Sequence, residues 1–507
     1  MKQRISFYRE LLKNADLIAR ENILRDDVVE LVSCNSKAVI AGTLFICKGA
    51  HFREQYLHDA IARGAVAYVS ETDYGVDGVS CLLTTDIRRA MALLADAFYE
   101  HAWKNFGLIG ITGTKGKSST AYYVKHILDE YLKATGQPQS GVLSSIDTYD
   151  GVIFEESHLT TPESIDLHRH FYNAATTGLK FMTMEVSSQA LKYDRVRGVT
   201  FDVGCFLNIG RDHISPIEHP DFEDYFASKR ILFSQCKTAC INLDADRADE
   251  VLRDAENCER IITFGSTPDA DVYGYDIRKV DGDIVFRVKT ATFDREFRLT
   301  MPGLFNVQNA LAAIAVSIAL NIPEEYMLAG LVKARVSGRM EIYTSADKRV
   351  TAIVDYAHNK LSFEKLFESV QTEYPDCRVV TIFGCPGKKA QERRRDLGQI
   401  SGRYSDLVLV TEEDHGEEPL EQICEEIAVH VRGEQHAECR IVLDRGDAIR
   451  EAILNAEQKT VILITGKGNE TRQKRGIEYI PCPSDVEYVK HALEQYDNAH
   501  RVRFVEG

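Results

Sequence analysis

The run Gly110-Ile-Thr-Gly-Thr-Lys-Gly-Lys-Ser-Ser119 sets glycines, lysines and hydroxyls at a spacing suited to holding phosphate. It follows the apolar stretch FGLIGIT and precedes the helical pattern AYYVKHILDEYL. A strand, a glycine turn and a helix N-terminus together aim several backbone N–H groups at one anion. Gly113, Thr114, Lys115, Gly116 and Lys117 are the expected cradle, with Ser119 closing the run. Lys117 is placed to reach the terminal phosphates and the Ser118 hydroxyl to ligate Mg²⁺. The pattern is not a strict G-x4-G-K-S, because Ile111 stands where the first glycine belongs. A metal–nucleotide site needs further ligands. Glu185 ends the strand-like LKFMTMEVSS, and His213 follows the next strand in LNIGRDHIS. A histidine alone is more often a hydrogen-bonded structural residue. The position shared by Glu185 and His213, after consecutive strands, makes the pair candidates.

The elements that must hold these groups read as α/β throughout. A chain of 507 residues predicts about three domains, and the pattern divides at 1–105, 106–338 and 339–507. The first unit alternates short strand-like runs (AVIAGTLFIC, AVAYVS, SCLLTT) with helical stretches. In the second, LKFMTMEVS, DVGCFLNIG and TACINLD alternate with helices, as in a parallel sheet covered on both faces. Residues 271–300 alternate like antiparallel strands and are expected to form a hairpin insert. The third unit carries TAIVDYAHN, CRVVTIFG, SDLVLVTEE, CRIVLD and KTVILITGKG as strands. A net charge of −16 argues against nucleic acid as the main partner, while leaving local basic clusters free to bind small anions. The 12 cysteines form no C-x2-C pair and read as free thiols. No apolar run is long enough to cross a membrane, and the N-terminus lacks the pattern of a secretory signal. A cytoplasmic monomer acting on small molecules is expected.

Further motifs in register with these elements resemble the Mur ligases nearly end to end. They are LTTPES (159–164), MEVSSQAL (184–191), LNIGRDHISPIEHPDFEDYFASKRILF (207–233), PGLFNVQNALAA (302–313), VSGRMEIY (336–343), VDYAHN (354–359), DRGDAI (444–449) and TGKGNE (465–470). The resemblance implies a three-domain fold, with a small N-terminal α/β domain, a central P-loop-like sheet domain and a C-terminal Rossmann-like domain. It also implies ATP and Mg²⁺, and an acyl phosphate made on a substrate carboxylate and attacked by an amine. Lys117, Lys229 and His213 are then catalytic, and Ser118, Glu185, His213 and Lys229 (as N6-carboxylysine, a carbamate) ligate metal. Asn306, Asn309, Arg339, Asp355 and His358 contact the nucleotide, although N-x-x-N-A also suits a capped helix start. Ser36, Thr160, Thr161, Ser187, Tyr193 and Arg195 match contacts to a UDP-muramoyl peptide. The segment Asn35-Ser36-Lys37 departs from the family's usual D-S-R.

TTPES, MEVSSQ and GTLFICKGAHFREQYL are similar to the branch that adds a diamino acid to UDP-N-acetylmuramoyl-L-alanyl-D-glutamate. In the loop Thr411–Pro419, Gly416 stands where members that add meso-diaminopimelate carry an arginine for the distal carboxylate. The acids Glu412, Glu413, Asp414, Glu417 and Glu418 favour a substrate ending in an ammonium group, although some are solvated loop charge. Lys389, Asp414, Gly466 and Glu470 are the amino-acid contacts, with Lys389 in place of an arginine and Asn469 in place of a histidine. L-lysine is expected first, L-ornithine second and meso-diaminopimelate third. The run Arg393-Arg394-Arg395 is read as a solvated helix face rather than a substrate contact, although it lies near the third-unit loop that the resemblance turns toward substrate. An open form closing by rotation about Val336–Glu341 is expected. The competing readings are a folylpolyglutamate synthetase-like ligase, a silent nucleotide-binding partner, and a P-loop kinase or GTPase.

Overall fold

A computed structural model describes residues 2–49, 52–157, 159–215 and 218–505. It is built on three sheets whose inner strands are buried on both faces. The first has five strands in the order Ile18–Asn22, Ser80–Thr84, Ala65–Ser70, Thr43–Ile46, Leu31–Ser33, with only the first pairing antiparallel. Side chains alternate across a strand. Leu44 and Ile46 therefore join the helices Ile5–Asn14 and Ile87–Phe98 on one face, while Phe45 and Tyr68 meet Leu57 and Ala60 of Glu54–Ala62 on the other.

The central sheet has eleven strands. Its phosphate-loop strand Gly107–Thr112 lies between the parallel strands Phe181–Glu185 and Phe201–Phe206. Cys236–Asn242 and Arg260–Gly265 continue the parallel order. Helices Lys117–Ala134 and Asn306–Ala319 share one core beneath this sheet, and Ser164–Thr176 and Phe222–Arg230 pack on the opposite face. Residues 271–300 are not a separate hairpin. Val272–Val280, Asp283–Lys289 and Asp294–Leu299 form a three-stranded meander that extends the same sheet. It joins the sheet because Val272 pairs with Phe264, and because Ile284, Phe286, Val288, Phe297 and Leu299 belong to the core under helix Asn306–Ala319.

The third sheet runs Glu341–Thr344, Val350–Asp355, Thr460–Thr465, Arg378–Phe383, Leu407–Val410, Glu438–Ile441. Every pairing is parallel except the first. The five apolar runs read from the sequence are its parallel strands. All six residues of Thr460–Thr465 are buried, as a central strand covered on both faces requires. A two-stranded ribbon, Arg472–Arg475 with Glu478–Pro481, follows it.

Candidate active site

The phosphate loop owes its shape to two glycines and to the loop after the neighbouring strand. Gly116, at φ +83°, caps the helix Lys117–Ala134, and a Cβ there would lie 2.2 Å from Asn309 Oδ1. A Cβ on Gly113 would lie 2.9 Å from Leu207. Asn208 holds the loop from outside. Its Oδ1 accepts from Lys115 N at 2.9 Å, and its Nδ2 donates to Lys115 O at 3.0 Å. The Thr114 hydroxyl accepts from Gly210 N at 3.0 Å and lies 3.1 Å from the Tyr225 hydroxyl. Lys117 Nζ curls over the loop to Gly113 O at 3.0 Å, the posture of a lysine waiting for phosphate oxygens. Ser119 is buried in the first helical turn.

Beside the loop lies a file of oxygens. Ser118 Oγ is 3.1 Å from Ser145 Oγ, which donates at 3.2 Å to Glu185 Oε1, and Ser145 N donates to that same oxygen at 2.8 Å. Glu185 is buried at the strand end, as its position in the sequence suggested. Hydroxyl and carboxylate oxygens together suit a hard cation such as Mg²⁺. His213 takes a positive φ, and its Nδ1 pairs with Glu218 at 2.9 Å, which fixes the ring. Lys229 is 2% exposed; its Nζ donates to Gly113 O at 2.9 Å and lies 4.6 Å from the Tyr225 ring centroid. Burial, with Lys117 nearby, pushes its ammonium well below the ordinary lysine range.

Groups from the third sheet reach this loop. Arg339 Nη2 donates to Ser118 Oγ at 3.2 Å and its guanidinium covers the Tyr356 ring at 4.4 Å. Asp355 accepts from Met340 N at 2.9 Å and Ala357 N at 2.7 Å, and burial raises its carboxyl. His358 Nε2 is 3.4 Å from Lys115 Nζ. Asn306 begins its helix without capping it; its Nδ2 donates to Pro302 O at 2.7 Å, and its Oδ1 accepts from Asn309 Nδ2 at 3.0 Å. The arginine run is not a solvated face. Arg393 pairs with buried Asp212 at 3.0 Å, and Arg394, 3% exposed, pairs with Glu418 at 2.8 Å and Glu426 at 2.6 Å. Only Arg395 conforms, because helix Glu392–Tyr404 packs its other faces inward.

A second network lies where the first and central sheets meet. Thr161 Oγ1 donates to Glu185 O at 2.9 Å and accepts from Ser187 N at 3.0 Å, and Thr161 O accepts from Arg195 Nη1 at 3.0 Å. Glu163 bridges Arg195, at 2.7 Å, and Lys48 of the first unit. The Tyr193 ring is covered by Arg88 at 3.8 Å. Thr160 is half-buried next to Thr161, and Ser36 is half-buried in a short turn capped by Asn35, without a hydrogen bond to this network. Ser145, Asp212, Lys48 and Glu163 were not singled out from the sequence. Asp212, Glu163 and Lys48 lie within the quoted motifs, where the only signal was that Asp212 precedes His213 and Glu163 follows Thr161 by two residues.

Two family models match the chain: the Mur ligase middle domain over residues 111–317, and the Mur ligase glutamate ligase domain over residues 338–468. An L-lysine ligase of Enterococcus faecalis, named for UDP-N-acetylmuramoyl-L-alanyl-D-glutamate, is 39% identical, with 88% of each chain covered. This chain belongs to the Mur ligase family. Its counterpart in Streptococcus thermophilus is 36% identical over 91% of this ligase and 92% of that one. Among solved structures, a UDP-N-acetylmuramoyl-L-alanyl-D-glutamate–2,6-diaminopimelate ligase superposes with TM-score 0.65 at 22% identity, over 98% and 99% of the two chains. The MurF ligase of Thermotoga maritima in complex with ADP gives 0.61 at 18%, over 92% and 98%. These two likenesses bear on the fold, which is that of the three-domain Mur ligases.

In this Mur ligase the acidic loop 411–419 is mostly neutralised from within. Glu412 pairs with Arg475 at 2.7 Å, Glu417 with Lys388 at 2.8 Å, and Glu418 with Arg394. Asp414, expected to meet the amino acid, is engaged by Lys467 at 3.0 Å and by Lys474 N at 2.8 Å. Glu413 is the exception. It is 8% exposed, with no hydrogen bond or ion pair among the described residues, and burial raises its carboxyl to about 7. A Cβ on Gly466 would lie 2.2 Å from the Glu413 carboxylate, so a glycine is needed there. Glu470 pairs with Lys467 at 2.5 Å, and Lys389 is exposed.

Proposed function

We propose that this chain adds L-lysine to the D-glutamate of UDP-N-acetylmuramoyl-L-alanyl-D-glutamate, consuming ATP in the making of peptidoglycan precursors. The relatives named for that reaction support it. The observation that carries the choice of amino acid is Glu413, a buried carboxylate in no direct ion pair, whose burial outweighs the more distant charges of Arg445, Arg393 and Lys467. An incoming ε-ammonium satisfies it, whereas the second carboxylate of meso-diaminopimelate meets a like charge.

Units 1–105, 106–338 and 339–507 take the uridine nucleotide, ATP and the amino acid respectively. The substrate carboxylate attacks the γ-phosphorus and ADP leaves. The α-amine then attacks the acyl carbon, loses a proton, and phosphate departs. Lys117, Lys115 and Arg339 steady the transferring phosphoryl group, and the N–H groups of Gly113 to Lys117 hold its neighbours. Asn309, Asp355 and His358 line the rest of the nucleotide. Ser118 and Glu185 would hold one Mg²⁺, and His213 with a carbamate on Lys229 a second; the metal would neutralise phosphoryl charge. A neutral Lys229 amine can attack CO₂ and release a proton, giving the anion that a bare ammonium cannot supply. Thr160, Thr161, Ser187, Tyr193 and Arg195 orient the muramoyl peptide, with Ser36 on its uridine end. Gly466, Glu470, Lys389 and Glu413 receive the amino acid. No helix among the described residues is long and apolar enough to cross a membrane, in keeping with work on soluble intermediates in the cytoplasm. Equal concentrations of L-lysine, L-ornithine and meso-diaminopimelate, with ATP and UDP-muramoyl dipeptide, give mainly the lysyl product by mass. Preferential addition of meso-diaminopimelate overturns the Glu413 argument.

A further inference from the structure

Asp212 joins two units through one carboxylate. It follows strand Phe201–Phe206 in the central sheet and is 4% exposed. Its Oδ1 accepts from Arg393 Nη2 at 3.0 Å, and its Oδ2 accepts from Asn359 Nδ2. Both donors belong to the third unit, Arg393 on the helix Glu392–Tyr404 and Asn359 at the N-cap of Lys360–Glu373. Asn359 has a second task. Its Oδ1 accepts from Ser362 N at 3.2 Å, capping the helix that follows it, so one amide both starts the helix and grips Asp212. From the central unit, Lys115 Nζ lies 3.7 Å from Asp212 Oδ2 and 3.4 Å from His358 Nε2. The phosphate-loop lysine is therefore flanked by one group from each unit. Leu361 seals the contact, since a Cβ on Gly210 would sit 3.3 Å from it.

The burial of Arg393 has a price in unmet hydrogen bonding, because its Nε has no partner. A surface helix would leave that guanidinium in water. Here it is 12% exposed, and its return is the contact with Asp212. A buried pair split by domain opening must be resolvated on both sides, whereas losing one partner strands the other charge. We infer that Asp212, Arg393 and Asn359 form a closure latch that sets Lys115 in place only when the third unit is docked. They are positioning residues, and the latch couples arrival of the amino-acid unit to readiness of the phosphate loop. The inference rests on the ligase reading for its kinetic test alone.

The test is a double-mutant cycle of Asp212→Asn, which is isosteric, and Arg393→Gln, which replaces the guanidinium with a shorter neutral amide, with thermal melts to confirm folding. Each single change lowers kcat by roughly 100-fold and leaves the KM for UDP-muramoyl dipeptide within about threefold. The double variant is no worse than the poorer single one, because both remove the same contact. Independent losses that multiply, or full activity in either single variant, overturn the latch. Small-angle scattering reads it without turnover. With a non-hydrolysable ATP analogue and UDP-muramoyl dipeptide, the unaltered protein is more compact than either variant, and equal radii of gyration overturn the latch. If the unaltered protein forms no lysyl product, the proposed activity fails while scattering still decides the latch.

Discussion

Glu413 sets a pH dependence that belongs to a single side chain. Its carboxyl titrates near 7 rather than 4.5, because burial penalises the anion. Between those values the fold holds a proton that the unfolded chain releases, so this group's contribution to stability falls as pH rises through the window. A bound ammonium reverses the preference by favouring the anion. The KM for L-lysine therefore rises as pH falls below about 7, and Glu413→Gln flattens that profile while raising the KM at pH 8. An unchanged profile in the variant places the ammonium elsewhere. Lys229 gives the second prediction at this scale. Lys229→Ala lowers kcat on the order of 100-fold, as loss of a metal-side group does. Added formate or acetate restores part of it by filling the vacated oxygen position; undiminished activity in Lys229→Ala rules the carbamate out. The type of each of these residues was visible in the sequence. Their isolation was not, because the partners of the neighbouring Asp414 and Glu412, Lys467 and Arg475, come from segments 53 and 63 residues further along.

At the level of elements, the phosphate loop is the most demanding turn. Gly116→Ala must hold a positive φ, which costs about 1–2 kcal/mol, and must displace Asn309, whose Oδ1 stands 2.2 Å from the added carbon. The expected result is an ATP KM at least about tenfold higher with an unaltered far-ultraviolet spectrum; unchanged ATP affinity shows that the loop tolerates the strain. This element was legible because strand, loop and helix are contiguous, and local spacing reports local geometry. The parallel strands of the third unit were legible for a related reason: covered on both faces, they read as unbroken apolar runs. The meander after Arg260–Gly265 was read as a hairpin insert, its antiparallel strands legible but not the third strand or the pairing with Arg260–Gly265, because alternation reveals a strand but not its neighbour. The helix bearing Arg393 was misread because its partner, Asp212, lies 181 residues earlier, and three adjacent arginines resemble a surface until that carboxylate is placed.

For the whole molecule, the phosphate loop of the central sheet is met by Arg339, His358 and Arg393 of the third unit, with a cleft between the two units. The chain as a whole has a formal charge of −16, yet Lys115 and Lys117 lie together at the phosphate loop, with Arg339 and Arg393 beside them. Polyanionic substrates thus approach a negative body and feel attraction only within the cleft. Long-range forces oppose the encounter, and dissolved ions screen them over a Debye length of about 8 Å at 0.15 M ionic strength. Raising salt from about 0.02 to 0.15 M should then leave kcat/KM for ATP level or increase it, the opposite of the fall seen where a basic surface steers a ligand inward. A steep decline in stopped-flow association of a fluorescent ATP analogue over that range would show that the positive cleft projects its field through the acidic surface after all. If the rate holds, capture is a short-range affair, and the cell's own electrolyte is part of what lets this enzyme meet its substrates.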